Sequence, residues 1–257
     1  MHALTVSVLS SGSCGNSILV RSDGESILID AGISCRELEK RMSYFGAEPT
    51  QVAGMVLTHE HTDHVRGVRG FCSKHGVPVY GTRGTLALTP LGDSEAHEFA
   101  QNKSFKIGSM QINPFKVRHL AAEPVAVSVV VGSARVGIAS DLGSVTPAVV
   151  EGLRSSDLLM IESNYDDRML TEGDYPEFLK KTIRGDHGHL SNDDAGRLAA
   201  RSWTDRTEHI VLLHLSKDNN RPDIARAAVE GSLLQNGIRN KVEVAEHGVQ
   251  CGPFSLR

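Results

Sequence analysis

The 257-residue sequence predicts an α/β fold. Three observations point there. Apolar runs with period-two alternation recur along the chain, with amphipathic helical stretches between them. Histidines and carboxylates stand immediately after several of these runs, as in sheets whose strand ends build a site. No internal repeat, low-complexity tract or Pro-rich linker interrupts the pattern, so residues 1–257 are expected to form a single domain.

Hydrophobic content of 40% and charged content of 23% are ordinary for a soluble globular chain. The net charge of −4 provides no global basic field, so a nucleic-acid partner would need a local patch. Cys14, Cys35, Cys72 and Cys251 are scattered without a Cys-x-x-Cys pair, as free thiols in a reducing compartment are. Leu4 to Leu9 alternates where a leader's apolar region would stand. No run approaches the ~20 apolar residues of a membrane helix. A cytoplasmic protein with no membrane partner is expected.

Leu4 to Leu9 reads as a half-buried strand, followed by the small-residue turn Ser10 to Ser17. Two readings of that turn are open. Glycines there usually mean a hairpin loop, which the residues alone favour; a backbone nest holding a phosphate is the sharper alternative. Without a following Gly-Lys-Ser/Thr it is not a P-loop. Ile18 to Val20 and Ser26 to Ile29 are strands, and the second ends in Asp30. That carboxylate either caps the helix through Leu38, Met42 and Phe45 or orients a ligating imidazole.

Met55-Val56-Leu57 is a buried strand that opens onto Thr58-His59-Glu60-His61-Thr62-Asp63-His64. In extended or turn conformation His59, His61 and Asp63 alternate and can converge, and His64 adds a donor from a neighbouring direction. Imidazole with carboxylate suits zinc and similar ions. Four donors exceed what one tetrahedral ion takes from so short a segment, so the spacing predicts two ions sharing it. The bland alternative is a solvated polar loop, against which the donor density argues.

Val65 to His75 reads as a helix ended by Gly76, then come a strand at Val77 to Tyr80 and a helix at Thr82 to Leu88. Arg66, Arg69 and Lys74 form either a solvated face or a contact for a phosphate backbone. Strands follow at Ser104 to Ile107, Met110 to Val117, Val125 to Val131 and Ala134 to Ala139. A lone histidine after a strand is usually structural, yet the first ion lacks a third nitrogen and His119 is the best candidate. Asp141 ends the last of these strands, and one carboxylate can bridge two ions.

Thr146-Pro147 opens a helix as N-cap and first residue. Asp157 to Ile161 is a strand leading to Glu162-Ser163-Asn164-Tyr165-Asp166. Tyr175 to Arg184 is an amphipathic helix. Ser191 and Asp194 resemble a capping box for the helix through Leu198. His189, at its entrance, is either incidental or an acid facing a leaving group. Glu208 to Leu213 is expected to be the last core strand. It delivers His214, before a helix from Pro222 to Leu234 ended by Gly237.

Gathered at one sheet edge, these groups permit a dinuclear centre: His59, His61 and His119 on one ion, Asp63, His64 and His214 on the other, Asp141 between them. Two ions roughly 3.5–4 Å apart can hold a bridging hydroxide and neutralise a phosphoryl oxygen. Metal-assisted hydrolysis is the reaction type, with Asp63 and His189 as catalytic candidates. Zinc, manganese and iron all accept the donor set.

These residues resemble the metallo-β-lactamase fold superfamily. Its YycJ/WalJ-like branch is matched by Ser10-Ser11-Gly12-Ser13-x-Gly15-Asn16, Glu162-Ser163-Asn164, Gly188-His189-Leu190-Ser191-Asn192-Asp193-Asp194-Ala195 and His214-Leu215-Ser216-x-x-Asn219-Asn220. The resemblance implies an αββα sandwich, two mixed sheets flanked by helices. It implies a metal-dependent 5′-to-3′ exonuclease with a repair role, acting on DNA rather than RNA. It also favours Ser11, Ser13, Gly15, Asn16 and Asn164 as substrate-binding residues and Asp30 and Glu162 as supports of the ligands.

Asp141 where true lactamases carry Cys argues against an antibiotic-cleaving enzyme. The family's usual His-Asp is His119-Leu120 here, and its Asn-His-Asp is Asn164-Tyr165-Asp166. The short segment between Asp141 and His214 has no room for the clamp domain of RNA-processing relatives. The alternative functions are an RNA-processing nuclease or a hydrolase of a small cyclic nucleotide, thioester or lactone.

Overall fold

The computed structural model describes residues 4–257. The first half of the chain runs β1 (Leu4–Ser10), β2 (Ser17–Ser22), β3 (Glu25–Ile29), α1 (Cys35–Tyr44), β4 (Val52–Val56), α2 (Thr62–Val65), α3 (Val68–His75), β5 (Val79–Gly81), α4 (Arg83–Leu88) and β6 (Ala96–Glu98). Next come β7 (Phe105–Ile107), β8 (Met110–Lys116), β9 (Val125–Val131), β10 (Ala134–Ala139), α5 (Pro147–Leu153), β11 (Leu158–Glu162), α6 (Asp167–Glu172) and α7 (Glu177–Arg184). The chain closes with α8 (Asn192–Ser202), β12 (His209–Leu213), α9 (Pro222–Gln235), β13 (Val242–Val244) and β14 (Cys251–Leu256).

Among these residues the strands form two seven-stranded mixed sheets, ordered β14-β1-β2-β3-β4-β5-β6 and β13-β12-β11-β10-β9-β8-β7. Side-chain alternation explains why they stack. Val6, Val8, Ile27 and Ile29 of the first sheet meet Val127, Val129, Leu158 and Met160 of the second in one inner core. The intervening Leu9 and Leu28 point the other way and pack with Leu38, Met42 and Phe71 of α1 and α3. Leu159 and Ile161 likewise turn outward to α5, α8 and α9. Each such side chain contributes roughly 1.5–3 kcal/mol on burial, so both sheet faces need a cover. Helix, sheet, sheet, helix is the result.

Three sequence expectations are corrected. The helix expected over Val65 to His75 is broken at Gly67, whose N–H donates to Ala31 O at 2.7 Å. Of the extended and turn conformations open to the donor segment, Asp63 and His64 take the turn, the single turn of α2. Beyond β12, β13 joins the second sheet and β14 pairs antiparallel with β1, so β12 is not the last core strand. The expected strand over Val77 to Tyr80 is displaced to Val79–Gly81, and the three-residue β6 pairs with it.

Three strands end in a left-handed residue: Asp30 at φ 60°, Asp141 at 57° and His214 at 56°. Such backbone is unusual outside glycine, though less costly for Asp and His, and it clusters at functional sites.

Candidate metal centre

Eight ionisable side chains come together at this edge. His59 follows β4, and His61 stands immediately before α2, which presents Asp63 and His64. His119 follows β8, Asp141 follows β10, Glu162 ends β11 and His214 follows β12. Two three-donor sets, His59 with His61 and His119, and Asp63 with His64 and His214, each have donor atoms within 4.8 Å of one another. Asp141 lies between them: Oδ2 is 3.1 Å from His64 Nε2 and Oδ1 is 3.7 Å from His119 Nε2.

The scaffold holds one nitrogen of each ring. His64 Nδ1 donates to Asp30 Oδ2 at 2.8 Å, while Thr58 N and Oγ1 donate to the same carboxylate at 2.8 and 2.7 Å. Asp30 therefore orients an imidazole. The capping alternative fails, because Ser34 Oγ caps α1. His214 Nδ1 lies 3.0 Å from Glu162 Oε1, and His119 Nδ1 donates to Gly188 O at 3.0 Å. His59 Nδ1 is 3.1 Å from Thr58 Oγ1. His61 Nε2 lies 2.9 Å from Leu120 O. That main-chain carbonyl positions His61 whatever side chain residue 120 carries, so replacing the usual family Asp with Leu120 leaves this support in place.

The remaining ring nitrogens face a shared space. One buried atom there, His59 Nε2, lacks a hydrogen bond, and Asp141 Oδ2 has only its 3.1 Å ion-pair contact with His64 Nε2. Orphaned polar atoms in a protein interior are costly unless something else satisfies them. A cation on each side of Asp141 would do so, and the imidazole and carboxylate donors suit zinc, manganese or iron. The residues fit a pair of divalent ions.

The two sets differ in charge preference. Burial, with His64 close by, holds His59 well below its ordinary value, and burial also lowers His119. For His64 burial acts the same way, but the Asp141 and Asp30 carboxylates reverse it and raise the pKa to about 10. His214 is likewise pushed down by burial but carried well above its ordinary value by Asp141, Asp63 and Glu162. Asp63 is pushed up by burial, yet His214 and His64 bring it below its usual value.

Glu162 is fully buried and accepts from Leu142 N at 2.8 Å and Leu190 N at 3.2 Å. Its Oε1 lies 2.7 Å from His189 Nδ1. Burial lowers His189, and the Glu162 carboxylate more than offsets it, so His189 holds its proton more firmly than a free histidine. His189 lines a cavity of about 290 Å³ with Ser13, His61, Asp63, Leu179 and Ile183.

The other predicted substrate contacts are placed differently. Ser11 is buried, and its Oγ accepts from His214 N at 2.8 Å. Asn16 Oδ1 accepts from Gly12 N at 2.8 Å, and its Nδ2 donates to Asp63 Oδ2 at 3.2 Å. Asn164 Nδ2 donates to His214 O at 2.8 Å. These three side chains steady the donors, and Ser13 alone of the five predicted residues lines the cavity. Gly15 adopts φ 143° against Gly32, where a Cβ would collide with backbone. Gly32 is equally constrained, because a Cβ there would strike the Asp63 carbonyl. Tyr165 is buried beside Ser191 and is not among the cavity's lining residues.

The buried Asn192–Asn220 pair, at 3.0 Å, escaped the sequence reading as functional support; with Ser163 it braces the Glu162–Asn164 segment. A further donor group, Cys35, Glu39 and His75, joins α1 to α3. There the Lys74 ammonium already sits 2.7 Å from Glu39 Oε1 and neutralises it.

Known proteins resemble this chain in sequence and in fold. A family model described as a beta-lactamase superfamily domain matches residues 25–215. The chain is 33% identical over 242 residues to an exodeoxyribonuclease YycJ of Bacillus anthracis, covering 91% of each. It is 31% identical to the exodeoxyribonuclease WalJ of Streptococcus pneumoniae strain D39, covering 89% of this chain and 88% of that one. Its fold matches the metallo-β-lactamase fold protein YhfI from Bacillus subtilis with a TM-score of 0.75, at 21% identity and over 98% of this chain and 99% of the other. The chain belongs to the metallo-β-lactamase superfamily, in its YycJ/WalJ-like branch.

Proposed function

We propose that this protein is a dinuclear metal-dependent phosphodiesterase that shortens DNA from its 5′ end, with a role in repair. The observation that carries the reading is the meeting of two three-donor sets at Asp141. The two exodeoxyribonuclease relatives support DNA as the substrate. His59, His61 and His119 would hold one ion, Asp63, His64 and His214 the other, and Asp141 would serve both. When bound, two such ions acidify water and withdraw charge from a phosphodiester oxygen.

The chain's own residues do the rest. Asp30, Glu162, Gly188 O and Leu120 O fix the ring orientations, so little reorganisation is needed when substrate arrives. His189, whose proton Glu162 helps to hold, faces the cavity and can deliver that proton to the departing oxygen. Asp63 is the most exposed of the carboxylates at the centre, at 23% for its side chain, and so stands nearest the substrate.

The test is incubation of the purified protein with Mn²⁺ or Zn²⁺ and duplex DNA labelled at either end. Release of mononucleotide from the 5′ label before the 3′ label, abolished by Asp63→Ala, is expected. Intact DNA with metal-loaded protein, or label lost first from the 3′ end, would contradict the reading.

A further inference from the structure

The chain carries a net charge of −4, and the centre itself is rich in carboxylates, so a phosphate backbone needs local cations to approach. Three cations on or near α3 were candidates from sequence, and the structure separates them. Lys74 is paired with Glu39 at 2.7 Å. The Arg69 side chain packs beside Gly92. Arg66 instead reaches the turn after β1, where its Nη1 donates to Cys14 O at 3.4 Å.

A second cation comes to the same turn from the other half of the sequence. Lys217 follows β12 three residues after His214, whose N–H donates to Ser11 Oγ of that turn at 2.8 Å. Its neighbour Asp218 accepts from the Tyr175 hydroxyl at 2.7 Å. Arg66, Lys217, Ser13 and Cys14 are all exposed. Ser13, one residue from Cys14, lines the cavity that holds the metal donors. Two exposed cations are thus brought to one turn, which lines the cavity through Ser13, and the Arg66 guanidinium has a carbonyl as its local partner.

We propose that Arg66 and Lys217 form the track that carries the phosphodiester backbone of a DNA strand past Ser13 into the metal cavity. The track rests on the nuclease reading of the metal site and names the residues that recruit its substrate. A phosphate oxygen is a stronger partner for a guanidinium than a carbonyl is, so the strand displaces the resting contact of Arg66. Recognition through phosphates is indifferent to sequence, as an end-trimming nuclease requires.

The test uses the full chain and a fluorescent duplex whose terminal linkages are phosphorothioates, with binding followed by anisotropy across about 50–200 mM salt. Arg66→Ala and Lys217→Ala are each expected to weaken binding and to reduce the slope of log affinity against log salt by about one. Arg69→Ala and Lys74→Ala leave that slope unchanged. Equal losses from all four variants, or none from Arg66→Ala and Lys217→Ala, would overturn the track. A wild-type chain that binds no DNA would overturn track and nuclease reading together. Binding with the expected slopes but no release of nucleotide from the same duplex made with ordinary phosphodiester linkages would leave the track standing and remove the nuclease reading.

Discussion

The Nδ1 of His189 lies 2.7 Å from Oε1 of Glu162, inside a pocket where Glu162 is fully buried. The same oxygen is 3.0 Å from Nδ1 of His214, so one carboxylate supports both a metal donor and a proton donor. Removing the imidazole should therefore damage proton delivery more than metal binding. His189→Ala is expected to lower kcat on DNA by about 10²–10⁴-fold with metal content retained. A nitrophenyl phosphodiester, whose leaving group needs no proton, should show a far smaller defect. Equal loss on both substrates would remove His189 from the acid role.

Asp30 accepts three hydrogen bonds, from Thr58 N, Thr58 Oγ1 and His64 Nδ1. Asp30→Ala leaves the buried Thr58 N–H without its acceptor and frees the His64 ring. Loss of such an orienting partner costs about 10–100-fold in metal affinity or activity. The stranded donor adds about 1–3 kcal/mol of destabilisation in the metal-free protein. Metal titration and thermal melting read the two effects separately, and unchanged values in both would contradict this role.

The two donor sets should respond differently to pH. In the metal-free protein His64 has its pKa raised from 6.5 to about 10, and His214 is raised as well. An ion entering that set must expel protons, so its affinity falls as pH falls below about 10. His59 and His119 are lowered, so their set gives up fewer protons at neutral pH. Calorimetric titration at pH 6 and pH 9 should show one equivalent gaining affinity steeply and the other little. Linkage to stability runs the opposite way: without metal, the raised His64 stabilises the fold fully below its unfolded value of 6.5, and the benefit fades as pH rises toward about 10. Two equivalents with the same pH dependence would contradict the assignment.

Leu120 contributes its carbonyl to His61, at 2.9 Å, while its side chain is 58% exposed. Leu120→Asp should leave metal affinity within about twofold, the scale of roughly 0.5 kcal/mol typical of surface substitutions. A tenfold gain in affinity would mean that the side chain at this position matters to the ligands after all.

Much of this architecture was legible in the sequence because polar residues directly after apolar strands mark strand ends. That rule located His59, Asp141 and His214. Asp63 and His64 were legible as donors but not as a helical turn, since α2 spans only four residues and has no periodicity to read. The pairing of β14 with β1 joins the two ends of the chain, and Gly252-Pro253 disguises β14 as a loop. Ser11 looked like a phosphate contact. Its acceptor role toward His214 N spans 203 residues and leaves no local trace.

The central claim is that two ions lie on either side of Asp141. A crystal of the protein grown with Mn²⁺ or Zn²⁺ and measured at the metal's absorption edge tests it directly. Two anomalous peaks are expected, one among His59, His61 and His119 and one among Asp63, His64 and His214, each within reach of an Asp141 oxygen. A single peak at saturating metal, or a pair that leaves Asp141 uncoordinated, would contradict it.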